Sequence, residues 1–301
     1  MKAHRLSRIR PAAGQKWNQN HPRSNSFARL ALPALALTLT FAILHFPNFA
    51  IGAMLTLGSY AAWIANSLLG IPLAMAAVLA ALAMAVVAML CDFLVFARLR
   101  DRGSMTLLVA SMGVSLILEN VCRFSFGNST RNFAIEVARP IRWHGLRINH
   151  EQLITAVTVV ACVILMQMLL HASPLGRAMR AVADNPSLAA VRGVERQTVS
   201  SITWCLAGVL SALSGVLAGM DRAVDPLLGW NYQIPIFAAA ILGGLGSPTG
   251  AIVGALVIGL AEELSSLVLP TNYRQIVSFA VILMLLLVRS QGLFGGKAVR
   301  K

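Results

Sequence analysis

Residues 72–96 read PLAMAAVLAALAMAVVAMLCDFLVF, a run whose one charge is Asp92. A helix rises 1.5 Å per residue, so about 20 such residues cross the ~30 Å hydrocarbon core of a bilayer. The run does not alternate as a barrel strand must, and only a helix satisfies its own backbone in lipid without closing a barrel. The stretch is a membrane-spanning helix. Windows of similar character lie at about 51–69, 105–122, 152–171, 199–219, 249–269 and 275–288, with shorter partial spans at 31–46 and 234–244. The expected fold is an all-α polytopic membrane protein of about eight transmembrane helices.

Composition agrees. Of 301 residues 57% are apolar and 12% charged, against about 25% charged in soluble domains, so a soluble fold is set aside. The net charge of +14 could suggest nucleic acid, but Arg and Lys cluster between apolar runs and at the ends, with no aromatic-interleaved basic stripe. The partner is membrane lipid, not nucleic acid. Cys91, Cys122, Cys162 and Cys205 lie in or beside apolar segments without metal-ligand spacing, so reduced, space-filling thiols are expected and no metal site.

Positive residues mark the cytoplasmic side. Arg98, Arg100 and Arg102 place 97–104 there, Arg177, Arg180, Arg192 and Arg196 place 172–198 there, and Lys297, Arg300 and Lys301 place the C-terminus there. The 123–150 loop is then outside, despite Arg123, Arg131, Arg139, Arg142 and Arg147. Three regions are expected: 1–30 as a basic, disordered cytoplasmic extension, 31–292 as the membrane domain, and 293–301 as a basic tail. With 1–30 inside, 31–46 and 51–69 must together cross an odd number of times. Either 31–46 is re-entrant, or the N-terminus is outside against its charge, or the start is misassigned upstream.

Parity also requires 234–269 to cross an even number of times or to dip and return. The break is Gly243-Gly244-Leu245-Gly246-Ser247-Pro248-Thr249-Gly250, rich in residues that cost backbone entropy or lack a donor. Interrupted helices present free N–H and C=O groups at transport sites; a plain loop between two helices fits equally.

The 172–198 segment holds two short helices legible from punctuation. Ser173 caps one with Pro174 at its first position, running to Ala183; Asn185 caps the next with Pro186, and Gly193 suits its left-handed end. Arginines projecting from an Ala- and Gly-rich surface suit close docking of another protein, as do Ala181 and Asp184 beside them.

Intramembrane polar residues mark pathways or helix contacts. Glu119 with Asn120, and Glu262 with Glu263, are such candidates, with a snorkelling position near the interface as the alternative for Glu119 and Glu262. His45 and His171 sit at helix ends, and the steps Ser211, Gly215, Gly219 and Gly250, Gly254 permit close helix packing. The scattered histidines and carboxylates form no catalytic set, and no G-x-x-x-x-G-K-[ST] phosphate loop exists, the nearest approach being Gly295-Gly296-Lys297.

The segment from Gly176 to Val194, GRAMRAVADNPSLAAVRGV, resembles the coupling loop of ABC-importer permeases of the branched-chain amino acid, LivH, type. The stretch from Phe237 to Gly259 is similar to that family's most recognisable one, and the stretch from Asn48 to Tyr60, NFAIGAMLTLGSY, to its early membrane motif. The family usually has a His and an Asp where this chain has Ile51 and Met54.

The resemblance implies an inner-membrane permease subunit importing branched-chain or related amino acids, with a LivM-type second permease, two cytoplasmic ATPases that bind the ATP, and a periplasmic binding protein. It implies no cofactor in this chain and no covalent chemistry. Gly176, Arg177, Arg180, Ala181, Asp184, Asn185, Pro186, Arg192 and Gly193 would couple to the ATPase; Asn48, Glu119, Asn120, Gly243, Gly244, Gly246, Pro248 and Glu262 would lie along the translocation pathway. Another small solute such as urea, an amide or a sugar is the alternative cargo, and an ion-driven carrier the rival mechanism.

Overall fold

Helix α9, Arg196–Asp221, is the axis around which the other helices gather. One of its faces is nearly all small residues, Ala207, Gly208, Ser211, Ala212, Ser214, Gly215, Ala218 and Gly219, and all are buried. Between helices in lipid, association rests on close backbone approach rather than on a hydrophobic drive. A Cβ at Gly208 would strike the Met84 carbonyl, and one at Gly215 the Leu55 carbonyl. The helices carrying Met84 and Leu55 therefore seat directly on α9.

The computed structural model describes residues 26–134, 141–143, 146–148, 150–265, 274–288 and 292–294. The elements before α9 are α1 (Ser26–Leu44), α2 (Ala50–Trp63) with a π-helical turn Ile64–Leu68, and α3 (Leu73–Cys91) with a π-helical turn Asp92–Phe96. The short α4 (Ala97–Leu99) and a 3-10 turn Arg100–Arg102 lead to α5 (Ser104–Phe126), a hairpin of β1 (Ile141–Trp143) and β2 (Leu146–Ile148), and α6 (His150–Ala172). Then come α7 (Pro174–Asp184) and α8 (Pro186–Val191) before α9, and α10 (Leu228–Gly243), α11 (Pro248–Ser265) and α12 (Arg274–Val288) after it. β1 and β2 pair antiparallel, Ile141 opposite Ile148. The fold is all-α and polytopic, with five helices long and apolar enough to cross a membrane among the described residues and shorter apolar helices beside them.

Contacts at the two ends of α9 fix the directions. At the Asp221 end, Arg29 Nη1 of α1 lies 2.6 Å from the Asp221 carboxylate and 2.9 Å from the Tyr232 hydroxyl of α10. Nearer the Arg196 end, Phe46, just beyond α1, stacks on Phe96 at 5.6 Å, and Phe96 sits 4.5 Å from Trp204. So α1 runs antiparallel to α9. Helix α10 leaves the Asp221 end, its following turn approaches Ala42 at the far end of α1, and α11 returns until Gly259 meets Phe27. Leu293 and Phe294 then donate backbone N–H groups to the Leu242 and Gly243 carbonyls, 2.8 and 3.1 Å away. Segments 97–104, 172–198 and 292–294 thus share one end, as their arginines and lysines anticipated.

Two sequence expectations are revised. Segment 31–46 is part of a longer helix: α1 starts at Ser26 and runs 19 residues, so residues 26–30 are helical, and they lie at the end of the bundle opposite 172–198. Segment 234–244 belongs to the 16-residue α10, and the stretch through α11 forms two antiparallel helices joined by a turn. Residues 1–25, most of 135–149, and 295–301 with Gly295-Gly296-Lys297 lie outside the described residues.

Pro33 lies inside α1. It has no N–H to offer the carbonyl four residues back, that of Arg29. The Ser214 hydroxyl of α9 donates to that carbonyl instead, at 2.9 Å. A serine on the neighbouring helix thereby restores the bond the proline removed. Ser214→Ala is expected to lower the stability of the purified chain by about 1–3 kcal/mol, the cost of a buried acceptor left unmet. The loss should shrink when Pro33→Ala supplies the missing N–H, as read from thermal midpoints of the four combinations in detergent.

Candidate functional site

At the arginine-rich end, α7 and α8 form a compact helical pair. Ser173 Oγ accepts from the Gly176 N–H at 3.0 Å, and Asn185 Oδ1 accepts from the Leu188 N–H at 3.1 Å; each cap is followed by its proline. These side chains satisfy amide donors that a helix start otherwise leaves open. Gly193 closes α8 in the left-handed region at φ 79°, where its N–H donates to the Ala190 carbonyl and that of Val194 to Ala189.

The inward face of the pair is Gly176, Met179, Val182 and Ala189, all buried. A Cβ at Gly176 would overlap the Leu169 and Leu170 carbonyls, so this glycine seats α7 on the end of α6 and does not face outward. The Ser173 hydroxyl donates to the Leu169 carbonyl, and the Arg180 guanidinium to that of Leu170. Arg180 thus has a tie within the chain. Arg177, Ala181, Asp184, Asn185, Arg192 and Gly193 are exposed, with Pro186 half-buried.

Two outward residues were missed by the sequence reading: Leu188 is 61% exposed and Val191 83%. They are three apart on α8 and lie on one face, opposite the buried Ala189. That i, i+3 apolar pair was the available signal.

The residues expected along a pathway do not form one cluster. Gly243 and Gly244 are buried, and Gly246 and Pro248 half-buried, in the turn joining α10 to α11, with Gly244 at φ 99° and Gly246 at φ 92°. Ser247 Oγ accepts from the Gly250 N–H at 3.2 Å, capping α11 ahead of Pro248. Gly243 faces Gly250, and Gly254 faces the Ala239 carbonyl, too close in each case for a Cβ. The segment joins two closely packed helices.

Glu119 pairs with Arg123 of its own helix at 2.7 Å, while Asn120 is exposed and bonds the Leu116 carbonyl. Glu262, 6% exposed, accepts from the Ser278 hydroxyl of α12 at 2.6 Å, joining two helices at the Arg29 end. Asn48 is buried before α2; its Oδ1 accepts from the Ala50 N–H at 3.0 Å, and its amide nitrogen meets no acceptor among the described residues. Two ionic groups escaped the sequence reading, Arg29 with Asp221 and Asp92 with Arg100. Arg29 was hidden by its assignment to the basic extension.

The profile of the family described as "Branched-chain amino acid transport system / permease component" matches residues 24–286. The chain belongs to this family. It is 29% identical over 291 residues to the high-affinity branched-chain amino acid transport system permease LivH of Escherichia coli, covering 90% of this chain and 92% of that one. BraD of Pseudomonas aeruginosa, a permease of the same description, is 30% identical over 90% of this chain and 93% of its own. The ribose import permease RbsC of Escherichia coli is 27% identical over 86% and 81%. Among solved structures, PsaBC from Streptococcus pneumoniae in complex with Fab aligns over 87% of this chain and 90% of its own, at 14% identity and a TM-score of 0.46. The chain is a multi-pass inner-membrane permease, a transport subunit.

The permease's α8 is only six residues long, too short to persist on propensity, so its cap matters. Asn185→Ala should cost about 1 kcal/mol of helix stability. Hydrogen exchange at the Leu188 amide should rise roughly fivefold, while α9 amides stay at wild-type rates.

Proposed function

We propose that this permease forms half of the solute pathway of an ATP-driven importer for branched-chain or related amino acids, and that α7 and α8 are the handle gripped by its ATPase partners. The observation that carries the reading is the α7–α8 surface itself. Two proline-capped helices are seated on the membrane helices by Gly176, Met179, Val182 and Ala189. They turn arginines and an apolar pair outward at the end shared with 97–104. Water-solubility alone would ask for arginines but not for an exposed Leu188 and Val191. The chain's own residues offer no phosphate loop, so ATP is bound by the partner subunits.

In this reading 172–198 is cytoplasmic and the start of α1 faces outside. Closure of the ATPase pair would push α7 and α8 as a rigid lever, and packed helices would rock between outward and inward access. A LivM-type permease supplies the other half of the pathway, and a periplasmic binding protein delivers the solute. Along the pathway, Asn48 is the favoured member of the sequence set, because its buried donor is open to a solute acceptor. Gly243, Gly244, Gly246, Pro248 and Glu262 support it by holding helices together, and Glu119 and Asn120 lie apart from it. An ion-driven carrier would need convergent carboxylates, and Glu119 and Glu262 are occupied in separate places. The similarity to a ribose permease keeps a different small solute as the second reading of the cargo.

Leu188→Glu together with Val191→Glu would bury unpaired carboxylates against an ATPase. The pair should cut ATPase recovered with the tagged permease at least about tenfold and abolish ATP-dependent leucine uptake, with the permease still made and folded. Wild-type recovery and uptake would rule out the docking role.

A further inference from the structure

The α7–α8 lever has to pass its motion into the membrane helices, and a buried ionic group sits where it does so. Asp92 opens the π-helical turn at the end of α3 and is fully buried. Both of its oxygens are engaged: Arg100 Nη2 donates to Oδ1 at 2.8 Å and the Ser201 hydroxyl to Oδ2 at 2.9 Å. Arg100 Nη2 also donates to the Ser200 hydroxyl at 2.7 Å, and its Nη1 to the side-chain Oε1 of Gln197 at 2.8 Å. One guanidinium and one carboxylate thus join the end of α3 to three side chains on the first turns of α9.

The placement fits transmission. Only 192–195 separate the end of α8 from the start of α9, and the Val194 N–H folds back onto the Ala189 carbonyl, leaving little slack. A push on α8 therefore arrives at Gln197, Ser200 and Ser201. Four residues beyond Asp92, Phe96 packs between Phe46 and Trp204, a second, apolar contact between this turn and α9. The π-turn is a local departure from helical register of the kind often found at functional sites. It ends α3 with both Asp92 and Phe96 buried.

We propose that Asp92 and Arg100 are positioning residues that clamp α3 to the base of α9, so that displacement of α7 and α8 moves both helices as one body. This rests on the docking role argued above. Without the clamp, α9 moves while α3 lags, and ATP is spent with little solute moved. Neither residue contacts solute or ATPase in this role.

The test uses the full transporter, permease pair with ATPases and binding protein, in proteoliposomes with radiolabelled leucine. Three variants are compared with wild type: Asp92→Asn, Ser201→Ala, and Asp92→Leu combined with Arg100→Met. The apolar pair separates roles, because replacing both members of a buried ion pair by apolar side chains commonly preserves folding while discarding its directional bonds. Assembly is measured by co-purification, and coupling as leucine taken up per ATP hydrolysed. We expect assembled complexes in which that ratio falls at least about fivefold for Asp92→Asn and for the apolar pair, the lower end of coupling between two sites. Ser201→Ala should give a smaller fall.

A wild-type ratio in the assembled apolar pair overturns the clamp, and so does failure of every variant to assemble, which would assign the group to folding alone. Failure of wild-type complexes to take up leucine on ATP addition would instead sink the branched-chain amino acid reading of the cargo, before any variant is examined.

Discussion

No water reaches the hydrocarbon core of a bilayer, so every N–H and C=O there must find a partner within the protein. That constraint explains the helices, and also the places where helices are imperfect. Pro33 would orphan the Arg29 carbonyl, and Ser214 of another helix meets it. The turn between α10 and α11 leaves the Leu242 and Gly243 carbonyls open, and the N–H groups of Leu293 and Phe294 return from the far end of the chain to take them. Each local defect is mended by a distant segment, and the mending fixes how the segments pack.

The same scarcity of water makes small residues valuable. Helices in lipid gain little from burying more apolar surface, so they gain by bringing backbones together. Gly208 and Gly215 on α9, Gly58 on α2, and Gly243, Gly250 and Gly254 in the α10–α11 pair all sit where a Cβ would collide. In contrast, α5 and α6 leave most of their apolar residues unburied, faces available to lipid. Ionic groups gather at the two ends of the tightly packed centre, Arg29 with Asp221 at one and Arg100 with Asp92 at the other.

The α7–α8 pair was the most legible part of the candidate site. Its signals are local: a serine or asparagine accepts from an amide three residues on, and a proline needs no donor at the first helical position. Ser173, Pro174, Asn185, Pro186 and Gly193 were therefore assigned to their structural positions without tertiary knowledge. What those residues face was not local. Gly176 turned out to seat α7 on α6, and Leu188 and Val191, ordinary apolar residues by sequence, became outward features only because Ala189 is the residue that packs inward.

The chain's composition and run lengths decided on their own that it is a bundle of membrane helices, because apolar length against bilayer thickness is a one-dimensional quantity. Parity and arginine placement likewise anticipated that 97–104, 172–198 and the C-terminal approach share one end. The entry face of α1 was beyond such counting, since seven basic residues before Leu30 argued one way and the packing of Arg29 on Asp221 decided the other. So were the partners of the buried charges: Asp92 and Ser201 are 109 positions apart, and no spacing rule connects residues that meet only when two helices cross.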